Sequence, residues 1–150
     1  MCKVLQSCII CAIILLGGNM EEDVQQYLIN PTNAQIIING ECAEVKNIDK
    51  LSNVLKTMLQ HSHTMPAFGV SINSETQKEI KKGVWLKLIF NQTKWVNGMN
   101  FDELLIQVEP TFSGFNVIRG NNNVYDGRCY YIDLVDNTMD NLYQCITRND

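Results

Sequence analysis

The residues best suited to chemistry are two histidines, one cysteine and two arginines. His61 and His63 stand in Gln60-His61-Ser62-His63-Thr64. On an extended segment an H-x-H spacing puts both rings on one side, as many metal sites do. A structural zinc site takes four ligands and a catalytic one takes three, so two histidines without a neighbouring carboxylate fall short. The simpler role for the pair is to end a helix, where a cationic or polar side chain is favourable. Cys129, in Tyr125-Asp126-Gly127-Arg128-Cys129, is the best-placed nucleophile. Arg128 beside it favours the thiolate, and His61 or His63 brought near by folding could serve as base. A buried strand thiol, alternating with Tyr131, explains the same residue more simply.

Arg119 and Arg128 bracket Gly120-Asn121-Asn122-Asn123 and the rest of the segment to Gly127. Two guanidinium groups at the ends of a Gly/Asn-rich loop could clamp a carboxylate or phosphate. Two arginines at the solvated ends of a hairpin read the same way. Trp95 sits beside Asn97-Gly98, a tight turn. Exposed there, it marks a partner surface, because Trp is enriched at interface hot spots. Folded back, it joins the sheet. These three residues, Arg119, Arg128 and Trp95, are the candidate ligand-binding set.

Other chemistries lack their residues. There is no phosphate-binding Gly-rich loop, no G-x-S-x-G elbow and no H-E-x-x-H. Cys8-Ile9-Ile10-Cys11 has C-x-x-C spacing but lies inside an apolar run. No cofactor is implied. With 12 Lys and Arg against 16 Asp and Glu, the net charge is −4, which disfavours a phosphate backbone as partner. The basic cluster Lys78, Lys81, Lys82 and Lys87 fits a solvated helix end.

These residues need elements to position them. Ile36-Ile37-Ile38, the turn Asn39-Gly40 and a return over Cys42 to Val45 make a hairpin. Asn47 caps a helix over 48–60, with Ile48, Leu51, Leu55, Met58 and Leu59 on one face. Phe68 to Ile72 is a short strand. Ser74-Glu75-Thr76-Gln77 reads as a capping box for a helix to Lys82, stopped by Gly83. Val84, Leu86, Leu88 and Phe90 alternate with Trp85, Lys87, Ile89 and Asn91, so the strand has an apolar face and a partly wet one with Lys87, Asn91, Gln107 and Glu109. Strands follow at 104–108, 115–119 and 129–134. Asn137 is the expected cap of a last helix over 138–147, whose buried stripe is Met139, Leu142, Tyr143 and Ile146. The pattern predicts an α+β fold. Its mostly antiparallel sheet has five to seven strands, packed on one face by two longer helices and a short third.

Residues 1–19 form a separate apolar segment ahead of a single domain over 20–150. Lys3 followed by the apolar run from Cys8 to Leu16 resembles a signal peptide or anchor but lacks small residues at the cleavage point. Leu16-Gly17-Gly18 also matches a double-glycine leader. A start at Met20 would make 1–19 an untranslated leader read in frame, as in a bacterial or phage gene. The remaining 131 residues (150 − 19) suffice for a real core. They keep Cys42, Cys129 and Cys145, an odd set that suits a reducing compartment. The favoured expectation is a soluble cytoplasmic binding domain of bacterial type, non-enzymatic, with a protein or small anionic ligand as partner and no nucleic acid. The alternatives are a cysteine- or metal-dependent enzyme using Cys129 with His61 or His63, and an exported or membrane-anchored envelope protein held through residues 4–18.

Overall fold

The computed structural model describes residues 24–64, 68–96 and 99–148. The expectations for residues 1–19 and for the Asn97-Gly98 turn lie outside the described residues. Chain order is helix α1 (Gln25–Leu28), strands β1 (Asn33–Ile38) and β2 (Glu41–Glu44), helix α2 (Ile48–Leu59), strands β3 (His63–Thr64) and β4 (Phe68–Ser71), helix α3 (Asn73–Glu79), strands β5 (Val84–Val96), β6 (Met99–Gln107), β7 (Gly114–Gly120) and β8 (Gly127–Asp133), and helix α4 (Asp140–Thr147). The fold is α+β, as the patterning predicts.

All strand pairs are antiparallel, in the order β2-β1-β5-β6-β7-β8-β3. Strand β4 also pairs with β8, so β3 and β4 share one sheet edge. The β1–β2 hairpin turns on Asn39 and Gly40, both at positive φ (49° and 87°), the mirror-image geometry that suits strand twist. The turn docks on the end of the third helix. Asn39 Oδ1 accepts from the Gly83 N–H at 3.0 Å, and the Asn39 N–H donates to the Gly83 carbonyl at 2.8 Å.

The connection from β2 to β5 wraps the sheet. Helix α2 carries the chain from the β2 edge to the β8 edge across one face. There Leu51, Leu55, Met58 and Leu59 meet Leu86, Leu88, Leu104 and Ile106 in the main core. Met139, Leu142 and Ile146 of α4 complete that layer, with Val24 and Leu28 from the α1 segment. Each fully buried Leu contributes roughly 1.5–3 kcal/mol. Helix α3 brings the chain back on the opposite side, where Ile80 packs on a smaller cluster of Ile37, Trp85, Leu105 and Tyr125. The two longer helices therefore share a face, and the short third helix lies across the sheet from them. Hydropathy along one helix cannot show which face of a sheet it returns over.

The Asn47 cap forms as expected, its Oδ1 accepting from the Lys50 N–H at 2.9 Å. Asn47→Ala should cost about 1 kcal/mol, read as a lower urea midpoint with an unchanged slope. The other two expected caps do not form. Helix α3 starts at Asn73 without a side-chain cap, because Asn73 Oδ1 accepts from the Tyr125 N–H and Gln77 Nε2 donates to the Asn123 carbonyl. The Ser74 capping box loses its Gln77 to the 121–126 loop. Helix α4 starts at Asp140 with Met139 at the cap position, so Asn137 stands too far back in the preceding turn to cap it.

Candidate functional site

The structure separates the candidate catalytic groups. His61 sits in the turn after α2 and His63 in β3, both exposed. His63 lies opposite Asp133 of β8, four residues along that strand from Cys129. At strand rise, four residues span roughly 13 Å, too far for a thiol–imidazole hydrogen bond. Asp133 adds one carboxylate beside His63, yet among the described residues no three His, Cys, Asp or Glu side chains group as a metal site.

Cys129 is half-buried, and burial pushes its thiol pKa up. Hydrogen bonding to Ser71 and the charge of Arg119 pull the other way without overcoming it. A raised pKa keeps the thiol protonated at neutral pH and weakens it as a nucleophile. In the folded protein, iodoacetamide at pH 7.5 should therefore alkylate exposed Cys42 well before Cys129, a difference that mass spectrometry of the digested protein measures. Comparable rates would restore Cys129 as a candidate nucleophile.

The segment between Arg119 and Arg128 plugs the second face of the sheet. Asn122 and Asn123 take left-handed conformations (φ 50° and 63°), which swing Tyr125 under the second sheet face. Tyr125 is 1% exposed, and its hydroxyl donates to Glu103 Oε2 at 2.8 Å. Glu103 Oε1 accepts from the Asn123 N–H at 2.7 Å. Lys87 Nζ donates to Asn123 Oδ1 at 2.6 Å and stands 3.5 Å from Glu103 Oε2. Ser71 Oγ donates to the Tyr125 carbonyl from the far side. The face expected to be wet is thus covered at Lys87, which is 9% exposed, while Asn91, Gln107 and Glu109 are exposed as expected. A polar residue in a sequence pattern reads as wet unless its partner is known, and here Glu103 and Asn123 lie 16 and 36 positions away (103 − 87; 123 − 87).

Arg119 spends its Nη1 on the Asn100 carbonyl at 2.8 Å. Its guanidinium lies against Gly127, where any Cβ would collide with it; Gly127 has φ +115°. Backbone register brings Ile118 opposite Cys129, so Arg119 and Arg128 face each other at the ends of the hairpin; the Arg128 side chain lies outside the described residues. Trp95 is 57% exposed and pairs with Asn100, the residue Arg119 bonds. Trp95 and Arg119 therefore both border Asn100, at one end of the sheet. Tyr27, packed edge-on against Phe90 and Phe101, donates its hydroxyl to the Trp95 carbonyl and holds that end of β5.

A second concave region has no counterpart among the expected sites. Between α2 and α4 runs a groove of about 800 Å³. Val54, Met58 and Cys145 supply its apolar part, and Asn53 and Asn141 are exposed polar residues lining it. Lys50, Arg148 and Asp49 supply its charges. Burial pushes the Cys145 thiol up, against the pull of Lys50. Positions 50, 53, 54, 57 and 58 already have helical spacing in the sequence, but a groove exists only once a second helix stands beside them.

No family model matches this chain, and neither a curated protein nor a solved structure matches it.

Proposed function

We propose that this protein is a small non-enzymatic binding domain that takes a small polar ligand in the α2–α4 groove. The observation that carries the reading is the groove itself. Its volume of about 800 Å³ falls in the range of small-molecule sites, and its lining mixes apolar side chains with hydrogen-bonding ones. Both walls are helices anchored in the main core, which suits a preformed site. The separation of His63 from Cys129 and the protonated Cys129 thiol weigh against the enzyme reading.

The test is a fragment screen by ligand-observed NMR on the wild type and on Asn53→Trp, which fills the groove from an exposed helix position. Surface substitutions of this kind change stability by about 0.5 kcal/mol or less. Fragments that bind the wild type should bind Asn53→Trp at least tenfold more weakly and Trp95→Ala unchanged. Equal binding to Asn53→Trp would sink the reading.

A second reading, a protein partner at the Trp95 end of the sheet, is favoured by the 57% exposure of that indole. There, Trp95→Ala should weaken binding of a protein partner by about 2 kcal/mol or more, measured by calorimetry. Among the described residues, no helix is long and apolar enough to cross a membrane.

A further inference from the structure

We infer that the groove between α2 and α4 holds an anionic group, a phosphate or carboxylate on a small polar molecule, at the end where Lys50 and Arg148 stand. This rests on the groove being the binding site and goes on to assign the ligand class. The chain is net negative at −4, yet three cations collect at this end. A smaller cavity of about 40 Å³ shares Asn47, Lys50, Cys145 and Arg148 with the groove and adds Lys46.

Among the described residues, none of the three cations is ion-paired; the ion pairs there are Lys78–Glu75 and Lys87–Glu103. The groove's own carboxylate is Asp49, one negative charge against Lys50 and Arg148. Lys50 lies in α2 and Arg148 directly follows α4, so the two cations line the groove from its two walls and can approach one anion from two sides. Arg supplies a planar fork that matches two oxygens, and Lys supplies a compact charge. Cys145, protonated because burial raises its pKa, adds no negative charge to the floor.

The amides of the groove fit a polar body beyond the anion. Asn47 is committed to capping α2, and Gln144 donates to Asp140. Asn53 and Asn141 hold no side-chain hydrogen bond among the described residues and can bond a ligand. Competing ligand classes fit less well. A single carboxylate cannot make a calcium site, which takes six to eight oxygens. A nucleic acid needs many phosphate contacts, and the overall charge opposes it.

The test is a ¹H–¹⁵N NMR titration of the full chain with inorganic phosphate and, separately, with succinate. Saturable shifts at the Lys50, Asn53, Asn141 and Arg148 amides are expected with at least one of them, and the tighter probe identifies the anion. Lys50→Ala should weaken binding roughly fivefold and the double variant Lys50→Ala/Arg148→Ala roughly twentyfold, with added NaCl acting in the same direction. Lys50→Arg should retain binding, and so should Lys94→Ala, outside the groove. All these positions are solvent-facing or part-exposed, and an unchanged spectrum elsewhere reports an intact fold. No saturable shift by about 20 mM of either probe would overturn the inference. Equal binding by the double variant would also overturn it. Fragments that bind the wild type and the double variant alike but not Asn53→Trp would overturn the anion assignment and leave the groove standing. Fragments indifferent to Asn53→Trp would remove both.

Discussion

Glu103→Ala is expected to destabilise the fold by about 3–5 kcal/mol, the cost of breaking a buried ion pair from one side. Glu103 is 7% exposed and accepts from the Tyr125 hydroxyl and the Asn123 N–H, with Lys87 at 3.5 Å. Its removal leaves the buried Lys87 ammonium without its counter-charge and the Tyr125 phenol without its acceptor. A domain of this size has roughly 5–15 kcal/mol in all, so the loss is a large share. Urea unfolding should show a lower midpoint at unchanged slope. Glu103→Gln keeps an acceptor for Tyr125 and removes only the charge, so it should cost less, about 1–3 kcal/mol. Equal losses in the two variants would mean that the charge, not the shape, carries the whole effect there.

The same cluster sets an alkaline limit. Burial, then the hydrogen bond to Glu103, push the Tyr125 phenol far above its ordinary 10.0. A folded pKa raised above the unfolded one gives stability that is complete below the unfolded value and lost above it. The contribution should therefore hold to about pH 10 and fall as pH rises further. Tyr125→Phe should flatten that fall. A wild-type profile no steeper than the variant's would place the phenol in water.

Leu55→Ala should cost about 2–5 kcal/mol, the range for truncating a fully buried Leu. Leu55 is 0% exposed and lies where α2 meets the sheet, in one core with Leu86, Leu104 and Met139. The substitution leaves every groove-lining side chain in place while loosening the helix that presents them. Fragment binding should then weaken as well, though less than with Asn53→Trp. Calorimetric melting of the variant should fall by several degrees. A loss under 1 kcal/mol would mean that α2 repacks over the gap, and that the groove is softer than its core anchors imply.

Much of the architecture is legible in the sequence. Asn39-Gly40 marked its hairpin because two successive left-handed residues are a local steric demand. The stripe Leu51, Leu55, Met58 and Leu59 marked its helix because burial repeats with the helical turn. Met139, Leu142 and Ile146 did the same for α4. The two missed caps have different causes. At Ser74 the tertiary partner Asn123 claims the Gln77 side chain that a capping box needs, and at Asn137 the helix simply begins three residues later.

The candidate site divides along the same line. The sequence determined that strands and helices would form, which faces would be apolar, and which residues carry a nucleophile, a base or a cation. Those properties depend on residues within a few positions of each other. Only the tertiary structure decided that His63 and Cys129 stand apart on one edge. It alone turned the Arg119–Arg128 loop into a plug over Lys87 and Glu103, and brought Lys50 and Arg148 to the lining of one groove. Each of these is a meeting of residues from separate elements. The order of strands and the face over which each connection returns are set by the packing of the whole chain, to which no short stretch of sequence responds.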